Sequence, residues 1–273
     1  MTGTPLRVGF VGLGAIGKPM ALRLAAAEAI DLGVYDVVRA PVEELEAAGA
    51  RGAGSVAELA SRSDVVCVMV RDDEQVRDVA REVGDRAVLV VHSTVAPSTP
   101  AELAERGHVV LDAPVSGGPM GAAEGTLAIM AGGPEEVFAT ARPALEAMGS
   151  MVVHAGPVGA GTCFKLARNL MHFVSFTAAM EASRLAEAAG LDVAELGRVV
   201  RHTDAITGGP GAIMLRNTTS PIPTDDFWHP ILDHVRTLGE KDLSFAIALA
   251  DQLGVDVPLA REALPRLGQE LGL

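Results

Sequence analysis

In the stretch "GPVGAGTCFKLARNLMH", residues 156–172, Lys165, Asn169 and His172 stand four and seven residues apart. That spacing puts an amine, an amide and an imidazole on one face of a helix. Their neighbours Phe164, Leu166 and Leu170 are apolar. Such surroundings depress a lysine pKa and let the amine exchange a proton near neutrality. The plainer alternative is a solvated or snorkelling side chain. Lys241 opens a second amphipathic run, "GEKDLSFAIALA" (239–250), where surface exposure beside Asp242 is the plain reading.

A different chemistry is written near the start. In "VGFVGLGAIG", Gly12, Gly14 and Gly17 form G-x-G-x-x-G after an apolar strand and before a helix, with Leu13, Ala15 and Ile16 between them. The first glycine makes the tight turn, the second admits a pyrophosphate, and the third lets helix meet strand. The helix N-terminus adds amide donors for the anion. Asp36, closing "LGVYD", stands where an acid accepts from a ribose 2′-hydroxyl and repels a 2′-phosphate. The pattern predicts a dinucleotide site and favours NAD over NADP, with Arg39 as a nearby complication. Val70 and Arg71, ending a later strand, join the expected cofactor set.

Three further stretches have both a chemical and a plain reading. Thr94 in "HSTVAPSTP" (92–100) fits a nicotinamide contact or an ordinary N-cap hydroxyl, whereas His92 reads better as a hydrogen-bonded core or rim residue. Asp72 and Asp73 in "RDDEQV" suit the start of a helix. Ser116, Gly117 and Gly118 in "DAPVSGGPMGAAEG" (112–125) fit either a nest for a carboxylate or a plain loop.

These groups must be carried by elements. Strands are predicted at 7–12, 32–36, 64–70, 87–93, 108–115, 127–132 and 150–156, with helices such as 18–29 and 134–148 between them. The strands are continuous apolar runs, so the sheet should be covered on both faces, as in a doubly wound α/β domain. Beyond Gly161 the β pattern stops. A long helix over about 162–189, capped by Gly190, leads into helices at 192–203, 226–253 and 256–270, with a breaker at 203–211 and a loop at 217–226. The expected domains are 1–157, binding the dinucleotide, and an all-α part, 158–273.

Composition narrows the field. The chain has 273 residues, 49% of them apolar, which excludes disorder, and a net charge of −13, which argues against nucleic acid or an anionic membrane as partner. The only cysteines, Cys67 and Cys163, lie far apart without metal spacing, so neither a disulfide framework nor a metal site is expected. With no membrane-length apolar run and no signal-peptide pattern, a soluble cytoplasmic protein is predicted.

Four motifs in order, "GFVGLGAIGKPMA", "DAPVSGG", "GPVGAGTCFKLARN" and "KDL", span nearly the whole chain. In these the chain resembles the β-hydroxyacid dehydrogenases, which include 3-hydroxyisobutyrate dehydrogenase and tartronate semialdehyde reductase. The resemblance implies an N-terminal Rossmann domain, a long interdomain helix, and a helical C-terminal domain that closes over substrate and forms homodimers or homotetramers. It assigns Lys165 as general acid/base for a reversible hydride transfer between NAD or NADP and a small β-hydroxy acid or its semialdehyde. It places the substrate carboxylate on Ser116, Gly117 and Gly118, with Asn169 orienting substrate. Thr94 and Lys241 then belong to the cofactor site. Arg168 departs from the usual asparagine, and Arg71, His92 and "FWHPILDH" (227–234) also differ from the common pattern. The alternatives are an imine reductase-like NADPH enzyme, which typically lacks this lysine, and a non-catalytic dinucleotide-binding protein.

Overall fold

The computed structural model describes residues 4–273. The chain divides into two compact units, one ending at Arg168 and one spanning Asn169–Leu273.

In the first unit, strands and helices alternate: β1 (Leu6–Val11), α1 (Gly17–Ala25), β2 (Ile30–Tyr35), α2 (Arg39–Ala47), β3 (Arg51–Gly52), α3 (Val56–Ser61), β4 (Val65–Val68), α4 (Asp73–Val83), β5 (Val88–Val91), α5 (Ser98–Glu105), β6 (Val110–Asp112), β7 (Val115–Ser116), α6 (Gly118–Glu124), β8 (Ala128–Gly132), α7 (Glu135–Met148) and β9 (Met151–Gly156). The sheet order is β3-β2-β1-β4-β5-β6-β8-β7, with β9 paired to β8. Strands β1 to β6 are parallel, whereas β8 runs antiparallel to β6 and β7.

The expected double cover is visible within one strand. In β4 all four residues are buried, and the two-residue period sends Val65 and Cys67 into one core cluster and Val66 and Val68 into another. The chain leaves β1 for β2 on one side, and β4 lies on the other. That reversal of strand order opens a crevice at the strands' carboxyl ends, where ligands gather in such sheets. Asp72 caps α4 by accepting from the Gln75 N–H at 2.9 Å, so its plain reading holds.

The long helix α8 runs Ala160–Ala188, two residues earlier than expected at its start, and the division between units falls inside it. Gly190 follows in the left-handed region that ends such helices. The second unit continues with α9 (Val193–Thr207), α10 (Trp228–Leu253), α11 (Pro258–Ala263) and α12 (Leu267–Glu270). Two expectations are corrected. The breaker begins at Gly208 rather than at 203, because α9 keeps its register until that glycine turns left-handed. The single helix at 256–270 is split by a 3₁₀ turn at Leu264–Arg266, where Pro265 has no N–H for an α-helical bond.

The second unit has a small core. Ile222, Leu232 and Leu271 form its buried cluster, with Trp228, Leu267 and Leu273 against them. Trp228 is therefore accounted for by packing.

Candidate active site

The glycine loop and the carboxyl ends of β1, β2 and β4 enclose a cavity of about 640 Å³. Gly12, Gly14, Ala15, Ile16, Gly17, Asp36, Val70 and Arg71 are among the residues that line it, with Tyr35 and Met69 beside them. Leu13 turns its side chain into the core and offers only backbone: its N–H donates to Asp36 Oδ2 at 2.6 Å. Asp36 Oδ1 accepts from the Val38 N–H at 2.7 Å. The acid thus braces the loop while standing at the cavity wall.

Each glycine has its own reason. A Cβ on Gly12 would lie 2.2 Å from the Met69 carbonyl oxygen, and φ there is +93°. One on Gly17 would lie 2.0 Å from the Gly12 oxygen, so helix and loop touch as backbone. At Gly14 a Cβ would meet nothing within 4 Å. The protein does not need that glycine for its own packing, and the open space faces the cavity. This is the cradle a pyrophosphate requires, at the N-terminus of α1, so the residues present fit a dinucleotide.

The basic groups that could take a 2′-phosphate are engaged elsewhere. Arg39 is paired with Glu43 at 3.3 Å and Glu46 at 2.6 Å, and Arg71 with Asp72 at 3.2 Å. Asp78 and Glu82 of α4 add carboxylates to the same lining. One fastening escaped the sequence reading: Ser93 Oγ accepts from the Val70 N–H and donates to the Val70 carbonyl, both at 2.8 Å, tying the ends of β4 and β5 together. Thr94 beside it is exposed and does not line the cavity.

A second cluster, outside that lining, gathers around the lysine. Lys165 is 8% exposed. Its Nζ donates to the Val115 carbonyl at 2.6 Å and to Ser116 Oγ at 2.8 Å. Burial, and then the neighbouring Arg168 charge, hold its pKa below the ordinary lysine value. Snorkelling is thereby ruled out for Lys165. Gly117 and Gly118 follow with φ of +136° and +63°, a backbone path that L side chains resist. The structure thus brings Ser116, Gly117, Gly118 and Lys165 together. Asn169, half-buried, is the first residue of the second unit. Lys241 lies on α10, exposed and paired with Asp242 at 3.2 Å. His172 packs its ring on Phe176 at 4.3 Å.

His92 takes the core role. It is buried, its Nδ1 lies 2.8 Å from the Ala113 carbonyl, and burial pushes its pKa down to about 4. Among the described residues no cluster of His, Cys, Asp and Glu suits a metal ion, and no helix is long and apolar enough to cross a membrane.

Comparison with known proteins agrees with this geometry. Residues 7–156 match the NAD binding domain of 6-phosphogluconate dehydrogenase, and residues 159–266 match the NAD-binding domain of NADP-dependent 3-hydroxyisobutyrate dehydrogenase. An uncharacterized oxidoreductase of Mycobacterium tuberculosis is 46% identical over 98% of this chain and 94% of its own. The NAD-dependent L-serine dehydrogenase of Pseudomonas aeruginosa is 33% identical over 94% and 85%. A crystal structure from Mycobacterium avium, 46% identical, superposes with a TM-score of 0.94 and covers 98% of this chain and 99% of that one.

Proposed function

The chain belongs to the β-hydroxyacid dehydrogenase family, and from that premise we propose that it oxidises a small 3-hydroxy acid reversibly, with Lys165 as general acid/base and NAD as preferred cofactor. The observation that carries the proposal is the seating of the amine. A neutral amine has two N–H bonds and one lone pair, and Val115 and Ser116 supply two acceptors. The remaining direction holds the lone pair that takes a hydroxyl proton in oxidation. In reduction it holds the third ammonium hydrogen, which returns the proton to the alkoxide. Burial favours the neutral form, the one that can take the hydroxyl proton. The nicotinamide, when bound, accepts or gives the hydride.

Gly12 to Gly17 would hold the pyrophosphate and Asp36 the adenosine ribose, while Ser116 to Gly118 would take the substrate carboxylate and Asn169 orient it. The Asp36 carboxylate at the cavity wall supports NAD, since it repels a 2′-phosphate. The buried lysine speaks against the imine reductase alternative and against a purely non-catalytic binder. The cytoplasm, where Cys67 and Cys163 stay reduced, is the proposed compartment.

We also propose that a second copy covers the helical unit. On α10, Ile231, Val235, Leu238, Phe245 and Leu249 recur at gaps of four, three, seven and four residues, which keeps them on one helix face, and all are 40–68% exposed. On α8, Leu170, Phe173, Phe176 and Met180 are likewise exposed. These uncovered faces suit the homodimer or homotetramer that membership of the family implies.

The activity is tested by offering a panel of small 3-hydroxy acids, L-serine among them, with NAD and with NADP, and following the absorbance of the reduced nicotinamide. Turnover with NAD on at least one of them is expected. Tight NAD binding with no turnover across the panel would leave a binding protein instead.

A further inference from the structure

We infer that Asp112 is the positioning residue for Lys165, an inference that rests on the acid/base role proposed above. Asp112 closes β6 and is fully buried. Its Oδ1 accepts from the Gly159 N–H and its Oδ2 from the Thr162 N–H, each at 2.6 Å. These donors belong to the residue before α8 and to its first turn, where N–H groups have no partner within the helix. Helices are ordinarily capped by a side chain adjacent in sequence. Here the cap comes from 47 and 50 residues away, out of the sheet.

The same short segment then reaches the lysine itself. Three and four residues after Asp112, the Val115 carbonyl and Ser116 Oγ take the two hydrogen bonds from Lys165 Nζ. Residues 112–116 therefore grip α8 twice, by its first turn and by the amine one turn further on. The helix start has no play against the strands. A Cβ on Gly161 would lie 2.2 Å from the Met130 oxygen and 2.5 Å from the Asp112 carbonyl oxygen. One on Gly132 would lie 2.6 Å from the Gly161 nitrogen and 2.7 Å from Asp112 Oδ1.

A carboxylate is a costly way to fill this place, because burial raises its pKa while the two amide bonds work against that rise. Only a carboxylate offers two acceptor oxygens to two separate amides. An asparagine would turn its own NH₂ toward one of them. Asp112 fixes where α8 starts, and so where Nζ sits between Val115, Ser116 and the substrate hydroxyl.

The test needs no substrate for its first reading. The chain contains three lysines, Lys18, Lys165 and Lys241, so acylation by an N-hydroxysuccinimide ester, followed peptide by peptide, reports each amine separately. In Asp112→Asn, Lys165 should label at least fivefold faster relative to Lys18 and Lys241, with NAD Kd unchanged within twofold. On the 3-hydroxy acid best turned over in the panel, kcat should fall at least tenfold and KM less than threefold. Unchanged Lys165 labelling, or a loss of NAD affinity in step with kcat, would overturn the inference and leave Asp112 a general stabiliser. If Asp112→Asn does not fold, Asp112→Glu keeps two acceptor oxygens but moves them by one methylene, and it should give the same rise in labelling. Labelling separates this inference from its premise: full turnover in Lys165→Met would remove the acid/base role while the grip on the amine stood or fell by its own reading.

Discussion

Replacing Gly14 by alanine separates the cofactor's needs from those of the fold. A Cβ there meets no protein atom within 4 Å, and the backbone is not in the left-handed region. The folded chain accepts the methyl without strain, and the unfolded chain loses freedom, so stability should hold or rise by about 0.4–1 kcal/mol. The methyl instead occupies the space a pyrophosphate needs to reach the loop and α1 amides. Losing one or two charge-assisted hydrogen bonds costs about 2–4 kcal/mol, a Kd increase of roughly 30- to 1,000-fold. Gly12→Ala should behave differently, because its Cβ strikes the Met69 carbonyl at 2.2 Å and its φ is positive, so the fold itself must shift. The assay pairs thermal unfolding without ligand with NAD titration by calorimetry. A Gly14→Ala protein that binds NAD as tightly as the wild type would refute the assignment of the cavity.

Two further outcomes follow from groups away from the chemistry. His92 has a folded pKa of about 4 against about 6.5 unfolded, so it folds neutral. Its contribution is intact above the unfolded value and is lost as pH falls from 6.5 toward 4, amounting to about 3 kcal/mol. His92→Gln should flatten the denaturant-measured stability over that window, and an unchanged slope would assign acid sensitivity elsewhere. A glutamate at Leu238 or Leu249 on the exposed stripe of α10 should convert a sedimenting dimer into a 28.1 kDa species, and a wild-type chain already sedimenting at that mass at micromolar concentration would sink the proposed pairing.

The local patterns were legible where one physical cause dominated. The glycine loop, its strand and Asp36 could be read because backbone approach to an anion demands those residues at that spacing. Lys165 stood out because an amine among Phe164, Leu166 and Leu170 needs a reason. Its partners were only half visible: Ser116 was named for the carboxylate, but its bond to Nζ arises from a 49-residue separation that no local pattern encodes. Asp112 was quoted within its motif and given no task, since its donors lie beyond two intervening helices. The antiparallel turn of β8 was equally hidden, because apolar runs do not state their direction. The unfilled face of the helical unit could not be foreseen from Ala-rich composition, which suits an internal core and an interface alike.

In the proposed reaction the buried amine of Lys165 moves the proton. Lys165→Met keeps the length of the side chain and removes only the base, so turnover with NAD should drop at least a thousandfold, within the range for loss of a general acid/base group, as roughly 10²- to 10⁴-fold effects are typical. NAD affinity should stay within twofold, because the lysine cluster lies outside the cavity lining. A Lys165→Met enzyme that retains turnover within tenfold of the wild type would contradict the claim.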